Sequence, residues 1–521
     1  VEAQLKTGEI DCVVATSALD LGVDFQAVER IIQVGSPRSV SRLIQRAGRA
    51  SHRPGAGTDV LLVPTNRLHL NEYAALADAL DHQSLEPIRP PEHCLDVLIQ
   101  HLATMALQAP WHPDAMFPEI QASWAYRDLS EDTFNRLLTV LAKGSESLKE
   151  YPDYRRLEQR DDGYFLLVSQ QTARRHRMSI GTIVSHAHVR VKMRRGGYLG
   201  EVEESFAGRL WSGDIFRFSG KRLEMLRLAD GELIVKPAGR GKVSEIPRWT
   251  GGRLPLSETL ATRVSADFQR QRPLSERILN RQWLKQALEE TSTIQSHISH
   301  CPRLEATMAE QFKTRDGFHL CFYPFAGWLV HQALGPLIAA RVAERIPATL
   351  TVTVNDYGIE VLSPESEPLD HCQAHWSSIV SPEHLTNDLE KALNLSELVR
   401  RQFRATARIS GLIFEGYPGR QKSLRMLQSS AGLLYDVLHQ YDPEHVLLNQ
   451  AKQDVLRDEF DIDRLHQTLH ELSRKPLSIK VIAQPSPLAL PLVIDRLSAR
   501  LSTESVAERM ARLTRNFHAN H

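Results

Sequence analysis

Apolar runs and helical periods alternate at the start of the chain. Cys12-Val13-Val14 opens a short buried strand that runs to Thr16. A second strand is read at Arg30–Val34 and a third at 60–64, with 39–49 helical between them. Apolar strands separated by helices predict a parallel sheet covered on both faces. Residues 65–83 continue as a connecting helix, and Pro87, Pro90 and Pro91 mark a linker. A helix over 92–107 follows, and Ala109-Pro110-Trp111-His112-Pro113 breaks it. Ser130 caps the next helix, 131–142, where Phe134, Leu137, Leu138 and Leu141 recur at helical spacing. Asp162-Gly163 turns a hairpin between 156–158 and 164–167. Helices followed by a small hairpin predict a winged helix.

From 178 to 250 the period shortens to two, and glycine turns recur at Gly196-Gly197, Gly213-Asp214, Gly220-Lys221 and Asp230-Gly231. Short strands with such punctuation predict a small β-barrel. Residues 256–521 read as mostly helical, with Ser381-Pro382-Glu383 and Asp442-Pro443-Glu444 as helix starts. One hairpin interrupts them at 348–361, turned by Asn355 to Gly358.

A length of 521 residues exceeds one core and predicts three or four domains. Lys plus Arg and Asp plus Glu both number 63, so a nucleic-acid surface must come from local segregation of charge. Five scattered cysteines (Cys12, Cys94, Cys301, Cys321, Cys372) predict buried thiols in a reducing cytosol, without disulfide or zinc. No apolar run reaches the 18 residues a membrane span needs, and no signal peptide is readable. His186 with His188, and His297 with His300 near Cys301, lack a completing carboxylate, so no metal site is expected.

The chemistry concentrates between Ala15 and Arg53. Thr16 and Ser17 end a strand where ligands sit in open α/β sheets, placed to donate to a nucleic-acid phosphate. Gly22 lets backbone approach a ligand, and Asp24 can accept from a ribose hydroxyl. Gln45, Arg46 and Arg49 then lie within one turn of a predicted helix, with both arginines on one face. Such a pair can reach nucleotide phosphates, where charge develops during hydrolysis. Order and spacing resemble motifs V and VI of superfamily 2 helicases, which sit on the second of two RecA-like motor domains. The common pattern often adds an arginine seven residues after the glutamine; here that position is His52, followed by Arg53. No G-x-x-x-x-G-K-[ST] phosphate loop and no acidic DEXH-type box occur in the sequence, Gly416 to Ser423 being the nearest approach to the former. The chain opens at Val1 in an uncapped helix-like segment and is expected to be the back part of a longer motor.

A second signal is charge. Asp and Glu are absent between Gly163 and Gly200, a stretch holding Arg174, Arg175, Arg190, Lys192, Arg194 and Arg195. Lys236 to Arg253 is again basic and carries Arg248 and Trp249 on a Pro- and Gly-rich loop. These residues are read as a phosphate-tracking groove with a stacking indole. Asp356 and the pair Glu203-Glu204 are read as turn or surface carboxylates, and the aromatic run 318–328 as core.

The segments GSPRSVSRLIQRAGRASHRPG, SIGTIVSHAHVRVKMRRGGYLGEVEESF, IPRWTGGRLPLS and FAGWLVHQALGPLIAARV, with VNDYGIEVLS, resemble the large-helicase-related (Lhr) family. The branch resembled is the ligase-associated DEXH-box helicases of bacteria. The resemblance implies a multidomain α/β plus α+β chain. Its parts would be half of a second RecA-like domain (1–70), a winged helix (71–168), the β-barrel of the Lhr core (169–255) and helical core modules (256–521). It further implies an ATP- and Mg2+-dependent 3′-to-5′ translocase on single-stranded DNA that unwinds DNA and RNA–DNA duplexes in repair, in the bacterial cytoplasm. Arg49 would be the arginine finger, aided by Arg46 and Gln45, with Gly22 and Asp24 at the nucleotide. Partners would be a first motor domain, a DNA ligase and a nuclease. A non-enzymatic single-stranded DNA-binding protein and a winged-helix DNA glycosylase are the alternative functions.

Overall fold

A computed structural model of the chain describes residues 4, 7, 9–16, 28–50, 57–145, 147–182, 188–194, 196–203, 207, 210, 212–218, 221–229, 232–238, 254–269, 281–393, 395–417, 420–422 and 424–499. They form two compact units, each built from separated stretches of chain: 1–88, 254–394 and 457–521 in the first, 89–253 and 395–456 in the second.

In the first unit, Arg30–Val34 pairs in parallel with Asp59–Val63, Arg30 opposite Asp59. The helix Val40–Ala47 lies between them in sequence. Two expectations fail here. Residues 12–16 form no strand and Val14 is 98% exposed. A strand exists only through a ladder, and among the described residues this segment has none. The strand pair is also not covered on both faces, since Ile32, Val34 and Leu61 stay exposed. The next helix, Leu68–Asp81, is more than a connector. It is buried from Leu68 through Ala79 and shares one core with Leu260, Val264, Phe325 and Leu492.

The largest sheet of this unit has five strands, in the order Thr351–Val354, Ile359–Ser363, Gly317–Phe322, Thr307–Thr314, Leu477–Val481. Its pairings are antiparallel except the last, which is parallel. The hairpin turned at Asn355 is as expected. Thr307–Thr314, Gly317–Phe322 and Leu477–Val481 replace expected helix. Polar residues hid the first two: Glu310 and His319 point into the core at 0% exposure, as does Glu360 on the neighbouring strand Ile359–Ser363, so apolar alternation is lost. Each is partnered. Glu310 accepts from the Tyr323 hydroxyl (2.6 Å), the Gln295 amide (2.8 Å) and the Ser486 hydroxyl (2.7 Å). Glu360 lies between His319 Nδ1 (2.8 Å) and Arg496 (3.2 Å). The helix Trp328–Ala343 packs on this sheet through Gly335, where a Cβ would come within 2.6 Å of Val352 Cγ1.

In the second unit, the helices Leu95–Gln108, Pro113–Gln121 and Glu131–Lys143 precede the hairpin Leu157–Gln159/Phe165–Leu167. Ser130 caps the third helix, with Phe134, Leu137, Leu138 and Leu141 buried, and Gly163 turns the hairpin at φ +88°. Both features follow the sequence reading. The expected breaker does more than break, because Trp111 exchanges backbone hydrogen bonds with Phe165 (3.1 and 2.8 Å) and stacks on its ring at 5.3 Å. A five-stranded sheet follows, ordered Tyr198–Glu203, His188–Met193, Glu232–Pro237, Lys221–Ala229, Ile215–Phe218. Val189, Val191, Phe216, Leu233 and Val235 form its core. Its outer strands do not pair among the described residues, so the observed sheet is open and the expected barrel is not formed by them.

Helix starts at Ser381 and Asp442 shift three to four residues, to Leu385–Ala392 and Val446–Asp458. Of the five thiols only Cys321 and Cys372 are buried; Cys94 and Cys301 are half-buried and Cys12 is exposed. No metal-holding cluster and no helix able to cross a membrane occurs among the described residues.

Tyr323→Phe keeps the ring and removes one donor from Glu310. It should cost about 1–3 kcal/mol of stability, because a buried acceptor is left short of a partner. Denaturant unfolding of the variant measures this; a loss below about 0.5 kcal/mol would mean that Glu310 does not need that hydroxyl.

Candidate nucleotide and nucleic-acid site

The helix Val40–Ala47 carries the arginine motif, and its start is held twice. Ser39 adopts an extended backbone and accepts from the Arg42 amide at 3.1 Å. The helix has no acid in its first turn. Glu86 supplies one from outside, accepting from the amides of Val40 (2.8 Å) and Ser41 (2.9 Å) and from the Ser41 hydroxyl (2.5 Å). Burial pushes the Glu86 carboxyl up, but these bonds and one from Ser257 outweigh it and hold it at about 2. An anion at a helix N-terminus also meets the positive end of the helix dipole.

At the other end, Arg46 donates to the Gln33 side chain on the first strand at 2.5 Å. Gln45 is exposed. Arg49 does not share the helix with Arg46, as the spacing had suggested. The helix ends at Ala47 with Gly48 as its C-cap. Arg49 sits on the following turn, its amide bonded to the Arg46 carbonyl at 2.9 Å. Thr16 is exposed, and Ser17, Gly22, Asp24, His52 and Arg53 lie outside the described residues.

A buried cluster that sequence reasoning missed fixes the loop before this helix. Arg38 stands at φ +67°, a costly backbone state for a residue with a side chain. Its guanidinium donates to Asp356 at 2.7 Å and lies 3.9 Å from Glu72. Tyr357 donates to Glu72, and Asp356 also accepts from the Leu256 amide at 2.8 Å. Burial opposes the charge on Arg38, but Asp356 and Glu72 outweigh it and raise its pKa. Glu72 is pushed up by burial against the pull of Arg38. Asp356 is therefore a turn carboxylate, as read, but a buried one with its oxygens engaged. Glu204, and the side chain of Glu203, lie outside the described residues.

In the second unit the basic run divides. Arg174 and Arg175 end the helix Gln170–Arg177. Arg174 lies over the Tyr417 ring at 5.2 Å, and Arg175 pairs with Asp153 at 3.0 Å. Arg190 and Lys192 both reach Glu232 on the adjoining strand, at 3.3 and 2.6 Å. Lys236 pairs with Glu224 at 2.8 Å. The run is acid-free along the chain but not in space, because strand register brings Glu232 beside it. Arg194 is exposed at the strand's end. Arg195, Arg248 and Trp249 lie outside the described residues.

Residues 78–244 match the winged helix domain of large helicase-related proteins. Residues 301–489 match the DEAD/H associated family, and 1–55 the helicase conserved C-terminal domain. The chain is 30% identical to the ATP-dependent helicase Lhr-Core protein 2 of Thermococcus barophilus, over 100% of this chain and 61% of that protein. It is 29% identical to the ATP-dependent helicase Lhr-Core of Methanocaldococcus jannaschii, over 98% and 60%. The chain belongs to the Lhr-type helicase family. It spans about 60% of the length of these curated relatives. Its fold is similar to that of the Mycobacterium smegmatis helicase Lhr bound to ssDNA and AMP-PNP, with a TM-score of 0.67, 24% identity, and coverage of 94% of this chain and 59% of that one. Within this Lhr-type chain, Gln45, Arg46 and Arg49 fall in the helicase C-terminal match, and Asp356 in the DEAD/H associated match. Glu86 gave no sequence signal beyond its place before Pro87, since its partners are 45 and 46 residues away.

Two outcomes test this geometry. Asp356→Ala should cost about 3–5 kcal/mol, the usual loss when one member of a buried pair is removed. Combining it with Arg38→Met should recover part of that loss; additive losses of Asp356→Ala and Arg38→Met in the double-mutant cycle would show that the two do not interact. Glu86, depressed from 4.5 to about 2, gives stability that is present above pH 4.5 and lost as pH falls toward 2. Glu86→Gln should therefore unfold more easily than the parent at pH 6, and the gap should narrow at pH 3.5. A gap independent of pH would exclude the charge as its source.

Proposed function

We propose that this chain forms the second-motor and DNA-handling part of an ATP-dependent 3′-to-5′ DNA helicase. Its substrates would be single-stranded DNA and DNA or RNA–DNA duplexes, in the repair-linked, ligase-associated bacterial branch. The observation that carries this reading is the motif helix. Ser39 and Glu86 pin its start, Gln33 holds Arg46, and Arg49 follows on a tight turn. A permanent cation fixed in place stabilises transition-state charge without reorganising as the reaction proceeds. Arg46 and Arg49 suit the phosphates of ATP, because a guanidinium offers a planar fork of donors that is always charged. Arg49 would act as the arginine finger and Arg46 as the residue that orients the phosphates. Gly22 and Asp24 are proposed to contact the nucleotide, and Thr16 and Ser17 a nucleic-acid phosphate. No group of metal ligands among the described residues fits Mg2+, so no step is routed through it.

Nucleic acid would be gripped by Arg174, Arg194, Arg195 and Arg248, with Trp249 as a stacking platform. Arg190, Lys192 and Arg175 would engage phosphate only by exchanging their carboxylate partners for it. The domain limits read from the sequence, a ligase and a nuclease as partners, and a cytoplasmic site belong to this same proposal. So does the expectation that the 521 residues alone do not turn over ATP, since hydrolysis needs the phosphate loop of a first motor domain.

In protein carrying both motor domains, Arg49→Ala should lower DNA-stimulated ATP turnover by roughly 10³–10⁵ and leave DNA binding largely unchanged. Steady-state ATPase and DNA titration on one preparation read both. Retention of more than about a tenth of the turnover would remove Arg49 from the reacting centre. Trp249→Ala should weaken single-strand binding by about 1–3 kcal/mol with the salt slope nearly constant, because an indole releases no counterion. A matching fall in melting temperature, with binding lost in proportion, would instead make Trp249 a core residue.

A further inference from the structure

The second unit holds a cavity of about 560 Å³ of which the helicase reading uses only Arg175. The end of the helix Leu395–Ile409, the hairpin Gly416–Tyr417/Arg420–Gln421, the helix Gln170–Arg177 and the turn Pro152–Tyr154 border it. Three cations line it, Arg156, Arg175 and Lys422, against one carboxylate, Asp153. Tyr151, Phe414 and Tyr417 supply aromatic walls. The volume lies in the ordinary range of small-molecule sites.

Arg156 is the unusual member. Arg175 is neutralised by Asp153, but no carboxylate pairs with Arg156 among the described residues. Burial alone acts on it, lowering it to about 10, so it remains a cation at neutral pH. Its guanidinium lies against Gly411, which stands at φ +69°. A Cβ there would come within 2.4 Å of Nη2, 3.0 Å of Cζ and 3.1 Å of Nη1, so only glycine leaves the guanidinium its seat. The other polar groups nearby are committed. Gln100 bonds the carbonyls of Ile409 (2.8 Å) and Gly181 (3.1 Å) and the Gly181 amide (3.0 Å). His176 bonds Thr104 at 2.8 Å. A partly desolvated cation without a counter-ion is expensive unless an anion completes it.

We propose that this cavity is a phosphate site for a nucleotide, with Arg156 as its anchoring charge and Lys422 at its rim. Three cations against one carboxylate leave an excess of two positive charges, which matches a phosphomonoester. Arg offers that group a bidentate fork. Arg174 and Arg175 already lie over one face of Tyr417 and of Phe414, so a base would stack on Tyr151 or on the opposite face of either ring. The phosphate can come from a free mononucleotide or from a nucleic-acid strand, and the chemistry required of the cavity is the same.

The test is calorimetric titration of the 521-residue chain. The probes are inorganic phosphate, sulfate, AMP, dCMP, and a twelve-nucleotide oligothymidylate with and without a 5′-phosphate. Nucleotide binding should weaken at least about tenfold in Arg156→Gln, the worth of a charge-assisted hydrogen bond, and less in Arg156→Lys. Gly411→Ala should weaken it by displacing the guanidinium. Lys422→Gln is exposed and should bind a few-fold more weakly with an unchanged melting temperature, which keeps the test alive if Arg156→Gln does not fold. Saturation by mononucleotides assigns a free ligand. Binding only of the 5′-phosphorylated strand assigns a strand end, and binding of both strands an internal phosphate. No binding of any nucleotide, sulfate bound as tightly as every phosphate probe, or affinity unchanged in Lys422→Gln and in every folded Arg156 or Gly411 variant would overturn the proposal. None of these readouts uses ATP turnover, so they stand or fall separately from the motor assignment.

Discussion

The first unit turns on one buried ion pair. Arg38 follows the first strand of the motif region, and Asp356 sits in the turn of a hairpin 318 residues later. Their contact at 2.7 Å joins the arginine motif to the five-stranded sheet. The Asp356 charge could not remain in that place alone, since a buried ion without a partner loses several kcal/mol of hydration, while Arg38 keeps partial access to water and also faces Glu72. The pair also explains the left-handed backbone of Arg38. The strain of φ +67° is held because the side chain is fixed at its far end and the Arg38 carbonyl accepts from the Ser257 amide at 2.8 Å. Glu72 and Tyr357 close the cluster, and with it the fully buried helix Leu68–Asp81 is tied to the same point.

What this achieves for the motif helix is placement without bulk. The helix has only two fully buried residues, Val40 and Leu43. So small an apolar face cannot set orientation to the precision a phosphate contact needs. Directional bonds supply it instead: Ser39 and Glu86 at one end, Gln33 at the other. The carboxylate of Glu86 is external to the helix, so its grip depends on the linker at Pro87 keeping its course. Motif and linker are thus one mechanical element, although their residues lie 45 positions apart.

Local features were legible in the sequence and register was not. Arg30–Val34, the Ser130 cap, the Gly163 turn and the Asn355 hairpin each depend on a few adjacent residues, and each stands where the pattern placed it. The strands Thr307–Thr314 and Gly317–Phe322 were hidden because Glu310 and His319 occupy core positions. Such residues are tolerated only when distant partners satisfy them, and those partners, Ser486 for Glu310 and Glu360 for His319, are not near in sequence. In the candidate site, spacing singled out Gln45, Arg46 and Arg49 but put both arginines on one helix, whereas Arg49 stands on the turn after it. Arg38, Glu72 and Glu86 were not legible, because their roles arise from contacts across the chain.

The same lesson alters the reading of charge. An acid-free stretch suggests a free cationic surface, yet Arg190 and Lys192 share Glu232 and Arg175 faces Asp153. The counterions released on binding are those condensed on the nucleic acid, and they leave in proportion to the net positive charge that meets its phosphates. A phosphate that takes such a cation must also leave a carboxylate nearby, where it is repelled. The net gain per contact is therefore smaller than for an isolated lysine, and so is the entropy of counterion release. A strand crossing this sheet would draw its salt-dependent affinity from cations outside these pairs, such as Arg194, exposed at the strand's end. The paired cations would serve a different end. Their carboxylates hold them in fixed positions before any strand arrives, which reduces the side-chain ordering that binding must otherwise impose.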